Sequence, residues 1–198
     1  GRLTESERNI IKKHTEMGRD ILSPFREKYH LLPQVAYEHH ERENGHGYPR
    51  GIKGKEICEF AKIVGLVDTY EAMIHNRPHR KALSQHISVK ELIGSKGLLF
   101  SSEIIKTYLL EFGIFPIGSY VRLNNEAIGK VIQTSKTHPL RPVVKLLYDS
   151  QENKVINEET INLNENPVLY IAKGMSAKEI SAKDAEITSD YDYMLQRR

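Results

Sequence analysis

Residues 38–51, EHHERENGHGYPRG, decide how the first half of this chain is interpreted. Two adjacent histidines, His39 and His40, stand among acidic residues and an arginine, and the chain then runs into glycines and a proline. Neighbouring residues on a helix point about 100° apart, so this pair cannot chelate one ion by itself. The pair could bind two metals of a cluster, or one metal and one substrate oxygen. Two half-exposed histidines on a polar helix are the structural alternative.

The glycine-rich end of this stretch predicts a tight loop over residues 43–54. Gly45 and Gly47 permit positive φ, and Tyr48-Pro49 sets a rigid bend. Such a loop can present backbone N–H groups to a phosphate. A plain connection between two helices is the other interpretation.

Further along the chain, Asp68 interrupts the most apolar segment, ICEFAKIVGLVDTYEAMI at residues 57–74. We expect a central, buried helix there from about residue 56 to 74. An unpaired buried carboxylate is costly, so Asp68 needs a metal ion, a helix cap or an arginine such as Arg77 or Arg80. These two arginines could equally contact phosphate in a bidentate manner, or form a solvated basic corner.

His14 lies on the inner side of the first predicted helix, where a core histidine and a metal ligand are both possible. Eight of the nine histidines precede residue 87, so we expect any reactive site in the first half of the chain.

The remaining pattern predicts an α+β fold. A capping box at Thr4–Glu7 opens a helix that Pro24 ends, and a second helix begins near Pro33 and carries His39 and His40. Pro78 closes the third helix, and two short helices are predicted at residues 89–95 and 102–112. Beyond Phe115, short β-branched segments separated by turn residues predict a small antiparallel sheet or barrel of five or six strands, namely GSYVRL, AIGKVIQT, PVVKLLYD, KVIN, ETINL and PVLYIA. We therefore predict a helical part at 1–113, a β module at 114–173 and a charged tail or helix at 174–198.

Composition limits the function classes only mildly. Hydrophobic residues make up 39% of the 198, and the net charge of +3 is too small to indicate nucleic-acid binding. The basic residues of the β module (Arg122, Lys130, Lys136, Arg141 and Lys145) leave that binding open as a minor alternative. The single cysteine, Cys58, cannot form an internal disulfide, and no apolar run is long enough for a membrane span, so we expect a cytoplasmic protein.

Several motifs together resemble one family. HHERENGHGYPRGIKGKEI, then AKIVGLVDTYEAM, then RPHRKA occur in the order and spacing of the HD-GYP family, bacterial metal-dependent phosphodiesterases of the HD superfamily. LTESERNIIKKHTEMGRDIL, with His14 four residues before Gly18, also resembles the family, so the resemblance covers about residues 1–112. FPIGSYVRLNNEAIGKVI and HPLRPVVKLLYD are similar to a C-terminal extension of some members.

The resemblance implies a helical domain with a centre of two or three transition metals, usually iron or manganese, that hydrolyses cyclic di-GMP. It implies that the metal ligands are His14, His39, His40 and Asp68. Tyr48, Pro49, Gly45 and Gly47 would shape the substrate entrance and a possible contact with GGDEF-type proteins or fused input domains. Arg77 and Arg80 would contact phosphate.

Two departures from the family pattern are visible. Asn44 stands where Asp is commoner, and His79 where Tyr is commoner. The His-Asp pair that names the family belongs upstream of the stretch matched here, so we expect this chain to supply only part of the metal cluster. A non-catalytic member that binds a cyclic dinucleotide or a partner protein is therefore the alternative function.

Overall fold

The computed structural model describes residues 4–77 and 80–184, and these fold as two compact units. Unit 1 comprises Gly1–Ala82 and Ser88–Tyr108, and unit 2 comprises Leu83–Ile87 and Leu109–Arg198. Helices followed by an antiparallel sheet confirm the predicted α+β class. Among the helices described here, none is both long enough and apolar enough to cross a membrane.

Unit 1 is helical. Its elements are α1 (Glu5–Lys12), α2 (His14–Leu22), α3 (Leu32–Glu38), α4 (Glu59–Ile74), most of α5 (Gln85–Gly94) and the first part of α6 (Ser102–Phe112). The Thr4–Glu7 capping box is present, and Ser101 Oγ accepts from the Ile104 N–H at the start of α6. Pro24 lies in a short 3₁₀ turn after α2, as the missing proline N–H predicts.

Four helix predictions need correction. The predicted first helix is divided into α1 and α2 at Lys13, and α5 begins at Gln85 rather than at residue 89. The second helix ends at Glu38, so His39 is its C-cap and His40 lies just beyond it, rather than both being carried inside the helix. The third helix, α4, is not buried on all sides: Ala61, Gly65 and Leu66 are buried, but Phe60 and Val67 are 57% and 48% exposed. Its apolar residues surround the helix, whereas the described part of the chain covers only one face. Pro78, predicted to close this helix, lies outside the described residues.

Unit 2 is built on a five-stranded antiparallel sheet with the strand order β4-β3-β2-β1-β5. The strands are β1 (Tyr120–Leu123), β2 (Ile128–Gln133), β3 (Val143–Tyr148), β4 (Thr160–Asn162) and β5 (Ile171–Met175). Alternating burial along β1 and β3 places one face in a core that includes Val121, Val131 and Val144, each fully buried.

Two strand predictions in this region need correction. The predicted strand PVLYIA, residues 167–172, overlaps β5 only at its last two residues, and the predicted strand KVIN, residues 154–157, does not form. Lys154 forms one isolated bridge with Tyr148, and Ile156 is 95% exposed, because the chain leaves the sheet before a second pair can form. Residues 177–184 are helical, which fits the predicted helix in the tail, and residues 185–198 lie outside the described part.

Candidate metal centre

Three histidines meet where α2 begins and α3 ends. The ring centroids of His14 and His39 are 5.2 Å apart, those of His14 and His40 4.9 Å, and those of His39 and His40 4.2 Å. One nitrogen from each ring lies within 4.8 Å of the others. Gly18, one turn after His14, faces α3, since an added Cβ there would be in ordinary contact with Ala36 Cβ at 3.4 Å.

Hydrogen bonds to the backbone fix which nitrogen of two rings is free. His14 Nδ1 lies 2.7 Å from the Ile11 carbonyl oxygen, and His39 Nδ1 lies 2.8 Å from that of Ala36. A carbonyl can only accept, so both Nδ1 atoms carry the proton and both Nε2 atoms carry a lone pair. The two Nε2 atoms face each other at 3.2 Å. That is close to the separation of adjacent ligands whose bonds to one metal are about 2.1 Å long.

Electrostatics favour neutral imidazoles at His39 and His40. Burial is the main reason that the pKa of His40 falls to about 3, with His39, Arg42 and His14 acting in the same direction. Burial also lowers the pKa of His39. Metals bind the deprotonated form of histidine, so these rings are ready to act as ligands at neutral pH. The donor set and the carbonyl-anchored rings therefore fit a transition metal.

Asp68 lies half-buried on α4 and acts electrostatically on His39. Asp68 also interacts electrostatically with Arg42, an arginine that we did not consider as its partner from the sequence. Arg42 donates from Nη1 to the carbonyls of His39 and Glu41, at 3.0 and 2.9 Å. Gly65 allows α4 to approach this point, since an added Cβ would stand 2.2 Å from the His39 carbonyl oxygen.

The loop predicted from the glycines lies directly against the histidines. Tyr48 stacks on His40, with ring centroids 4.6 Å apart and planes tilted by 20°, and its N–H donates to the His40 carbonyl. Burial raises the pKa of the Tyr48 hydroxyl, so this group is a neutral hydrogen-bonding group at neutral pH. Gly45 has a φ of +77°, whereas Gly47 serves close backbone packing.

The two predicted phosphate contacts follow the end of α4. Arg77 pairs with Glu71 at 3.7 Å, and Arg80 donates from Nη2 to the Ala72 carbonyl. Their backbones exchange two hydrogen bonds, at 2.8 and 3.0 Å. Pro78 and His79, between them, lie outside the described residues.

Sequence reasoning missed four residues around the centre: Glu38, Glu41, Arg42 and Gly65. The first three flank the two histidines in EHHER, and their charge in a stretch that folds inward was the available signal. Nothing in the local sequence marks Gly65, because its role depends on a backbone atom of another helix.

Comparison with known proteins places this geometry in a family. Residues 1–103 match the HD domain family, and residues 120–183 match the KOW domain associated with HD domains. A cyclic di-GMP phosphodiesterase of Pseudomonas aeruginosa is 27% identical over 163 residues, which are 82% of this chain and 39% of that protein. A cyclic di-GMP phosphodiesterase of Thermotoga maritima is 36% identical over 110 residues, which are 55% of this chain and 30% of that protein.

A third relative carries a different substrate in its name. The 3'3'-cGAMP-specific phosphodiesterase 3 of Vibrio cholerae is 36% identical over 86 residues, covering 42% of this chain and 18% of that protein. The chain thus spans at most about two fifths of the length of these relatives. The match over more than half of its residues confirms the assignment made from the motifs: the chain belongs to the HD domain family, in its HD-GYP branch.

Proposed function

We propose that this chain is part of a metal-dependent phosphodiesterase that hydrolyses cyclic di-GMP. The observation that carries the proposal is the cluster of His14, His39 and His40, whose nitrogens lie within 4.8 Å of one another. The names of the relatives supply the substrate class.

The proposed ligands from this chain are these three histidines and Asp68, and the proposed metals are iron or manganese in a centre of two or three ions. When bound, such metals lower the pKa of a coordinated water and hold a phosphate oxygen. The chain's own part is to hold His14 and His39 through their Nδ1–H bonds to carbonyls, so that each Nε2 lone pair points to the centre. Further ligands are expected from the His-Asp pair of the family.

The charge of unit 1 suits an anionic substrate. Residues 1–82 and 88–108 contain 18 Lys and Arg against 14 Asp and Glu, whereas the rest of the chain contains 11 against 12. Arg77 and Arg80 remain the proposed phosphate contacts. Tyr48 and Pro49, with Gly45 and Gly47, remain the proposed entrance. Contact of this loop with GGDEF-type proteins or input domains stays a prediction.

The name of the 3'3'-cGAMP-specific relative supports 3'3'-cGAMP as a second candidate substrate. Cyclic di-GMP and 3'3'-cGAMP both present a phosphodiester to a metal centre. We therefore propose a parallel assay of the full-length protein with cyclic di-GMP and 3'3'-cGAMP. Faster hydrolysis of 3'3'-cGAMP than of cyclic di-GMP would make 3'3'-cGAMP the proposed substrate and would leave the proposed metal ligands unchanged.

The test of catalysis uses Asp68→Ala, with Glu59→Ala as a matched control, since Glu59 is an exposed acid on the same helix. We expect Asp68→Ala to abolish hydrolysis and Glu59→Ala to retain it. Full activity in Asp68→Ala would contradict the proposal. Cyclic dinucleotide binding without hydrolysis by the wild-type protein would favour the non-catalytic alternative.

A further inference from the structure

Two buried carboxylates at the end of α3 are not explained by the metal cluster. Glu38 is 2% exposed and Glu41 is 3% exposed. Burying a charge is costly, and negative charge is disfavoured at the C-terminal end of a helix. The free-energy cost of burying these two carboxylates must be offset by hydrogen bonds or ion pairs that they accept.

Both carboxylates bind Arg50, the residue directly after Tyr48-Pro49. Glu41 Oε1 accepts from the backbone N–H of Arg50 at 2.7 Å and of Gly51 at 3.2 Å. Glu38 accepts from the Arg50 guanidinium, and its other oxygen accepts from the Cys58 N–H at 2.7 Å. The exit of the loop is therefore fixed through both its main chain and one side chain.

The entry of the loop is held by backbone contacts and by one side chain, because Asn44 Oδ1 accepts from the His46 N–H at 3.0 Å. Gly45 N–H donates to the Arg42 carbonyl at 2.8 Å. Gly47 lies so close to the backbone of residues 40–42 that an added Cβ would stand 2.4–2.5 Å from its atoms. A Cβ on Gly51 would stand 3.2 Å from the Gly45 carbonyl oxygen, so the two ends of the loop meet. We call residues 45–51 the clasp loop.

The middle of the clasp loop contacts the histidine cluster, because Tyr48 stacks on His40. We propose that Glu41 is a positioning residue: by holding Arg50 and Gly51 it seats the clasp loop so that Tyr48 fixes the His40 ring toward the metals. The inference rests on the proposed function. Glu41 itself touches neither metal nor substrate.

The hydrogen bonds of Glu41 predict how its variants differ. Oε1 accepts both bonds, whereas Oε2 has no hydrogen-bond partner among the residues that the structure describes. The amide oxygen of glutamine can take the place of Oε1, so Glu41→Gln preserves the anchor. Glu41→Ala removes it and leaves the Arg50 and Gly51 N–H groups without their acceptor.

Glu43→Ala is the matched control. Glu43 is a half-buried acid in the same stretch, and its Oε1 pairs with Lys62 at 2.7 Å, away from the clasp loop. Its loss removes an ion pair without removing a bond to residues 45–51. A general loss of stability would therefore appear in both alanine variants, whereas loss of the anchor appears in one.

The experiment measures Mn²⁺ affinity and amide hydrogen exchange of residues 45–51 in the full-length protein. We expect Glu41→Ala to weaken Mn²⁺ binding by about 10-fold or more, as is typical when the support of a metal ligand is removed. Exchange in the clasp loop should rise in the same variant. Glu41→Gln and Glu43→Ala should stay close to wild type in both measurements.

Tyr48→Leu provides a second variant that leaves the anchor in place. It should weaken Mn²⁺ binding without faster exchange at the amides of Arg50 and Gly51. Unchanged Mn²⁺ affinity in Tyr48→Leu, or a loss in Glu41→Ala no greater than in Glu43→Ala, would overturn the inference alone. Wild-type protein that bound no Mn²⁺ would overturn the proposed function, and the role of Glu41 with it.

Discussion

His40 shows how one residue ties the site to the stability of the fold. Its pKa is about 3 in the folded protein and near 6.5 when unfolded, with burial as the main cause. Between these values the unfolded chain binds more protons, so the stability of the metal-free protein rises with pH. The contribution is present above about pH 6.5 and is lost as the pH falls toward 3.

Replacing His40 by glutamine should flatten this pH dependence. Urea unfolding of the metal-free protein at several pH values between 4 and 7 measures the effect in wild type and variant. A slope of stability against pH that is the same in both proteins would show that His40 does not titrate in this way.

Gly65 gives the second prediction at this scale. Its backbone touches the His39 carbonyl oxygen so closely that Gly65→Ala should destabilise the protein by about 1–3 kcal/mol, through a clash that only movement of α4 relieves. Gly94 is the matched control, because it ends α5 and an added Cβ would meet nothing within 4 Å. Gly94→Ala should instead stabilise by about 0.4–1 kcal/mol. Thermal unfolding distinguishes the two, and equal effects would contradict the assignment.

The predictable residues of the site were those whose chemistry is visible in a motif. The histidine pair, His14 and Asp68 were predicted from ligand type and family pattern, and the structure brings the three histidines together. Gly65 could not be predicted, because it acts through the space it leaves. The charge of Glu41 was visible in the sequence, but its bonds to the backbone of Arg50 and Gly51 were not.

At the scale of elements, local signals predicted some helix ends well and burial poorly. The capping box at Thr4 and the bounds of α6 depend on neighbouring residues and were predicted correctly, whereas the end of α3 and the start of α5 were not. The burial of α4 depends on what covers each face, and the predicted burial was wrong for Phe60 and Val67. Whether KVIN, residues 154–157, forms a strand likewise depends on pairing partners in the sheet rather than on β propensity alone.

One contact between elements of unit 2 can be tested directly. Tyr148 on β3 donates its hydroxyl to Asp184 Oδ1 at 2.7 Å, which joins the sheet to the helix at residues 177–184. Burial and this bond raise the pKa of Tyr148 to about 12. Tyr148→Phe removes this hydrogen bond and should reduce the local stability of β3 by about 1 kcal/mol.

Amide hydrogen exchange of β3 reports the local cost of Tyr148→Phe. Tyr170→Phe is the control, because the Tyr170 side chain is 55% exposed, and it should leave exchange nearly unchanged. Exchange of β3 that is unaffected by Tyr148→Phe would contradict the role of this hydrogen bond.

At the scale of the whole molecule, the two units differ in net charge. The 11 basic residues of unit 2 are balanced by 12 acidic ones, and several of its cations are already engaged. Arg122 pairs with Glu126, Lys136 with Glu111, and Lys145 with Glu158. Nucleic-acid affinity depends on cations that are free to neutralise phosphates, so this arrangement disfavours it.

We therefore predict that the β unit contributes no nucleic-acid binding. Fluorescence anisotropy with single-stranded DNA and RNA oligonucleotides at low salt should show no saturable binding to the protein. Binding that weakens steeply with added salt, and that Lys130→Ala and Arg122→Ala reduce, would contradict this prediction and favour the minor alternative.

The most direct test of the central claim is the metal content of the full-length protein purified without chelator. Wild type and His30→Ala, an exposed histidine on a different part of the chain, should carry two or three equivalents of iron or manganese. His39→Ala, His40→Ala and Asp68→Ala should each lose metal, because each removes a proposed ligand. Wild-type protein without metal, or ligand variants that keep the full complement, would contradict the account.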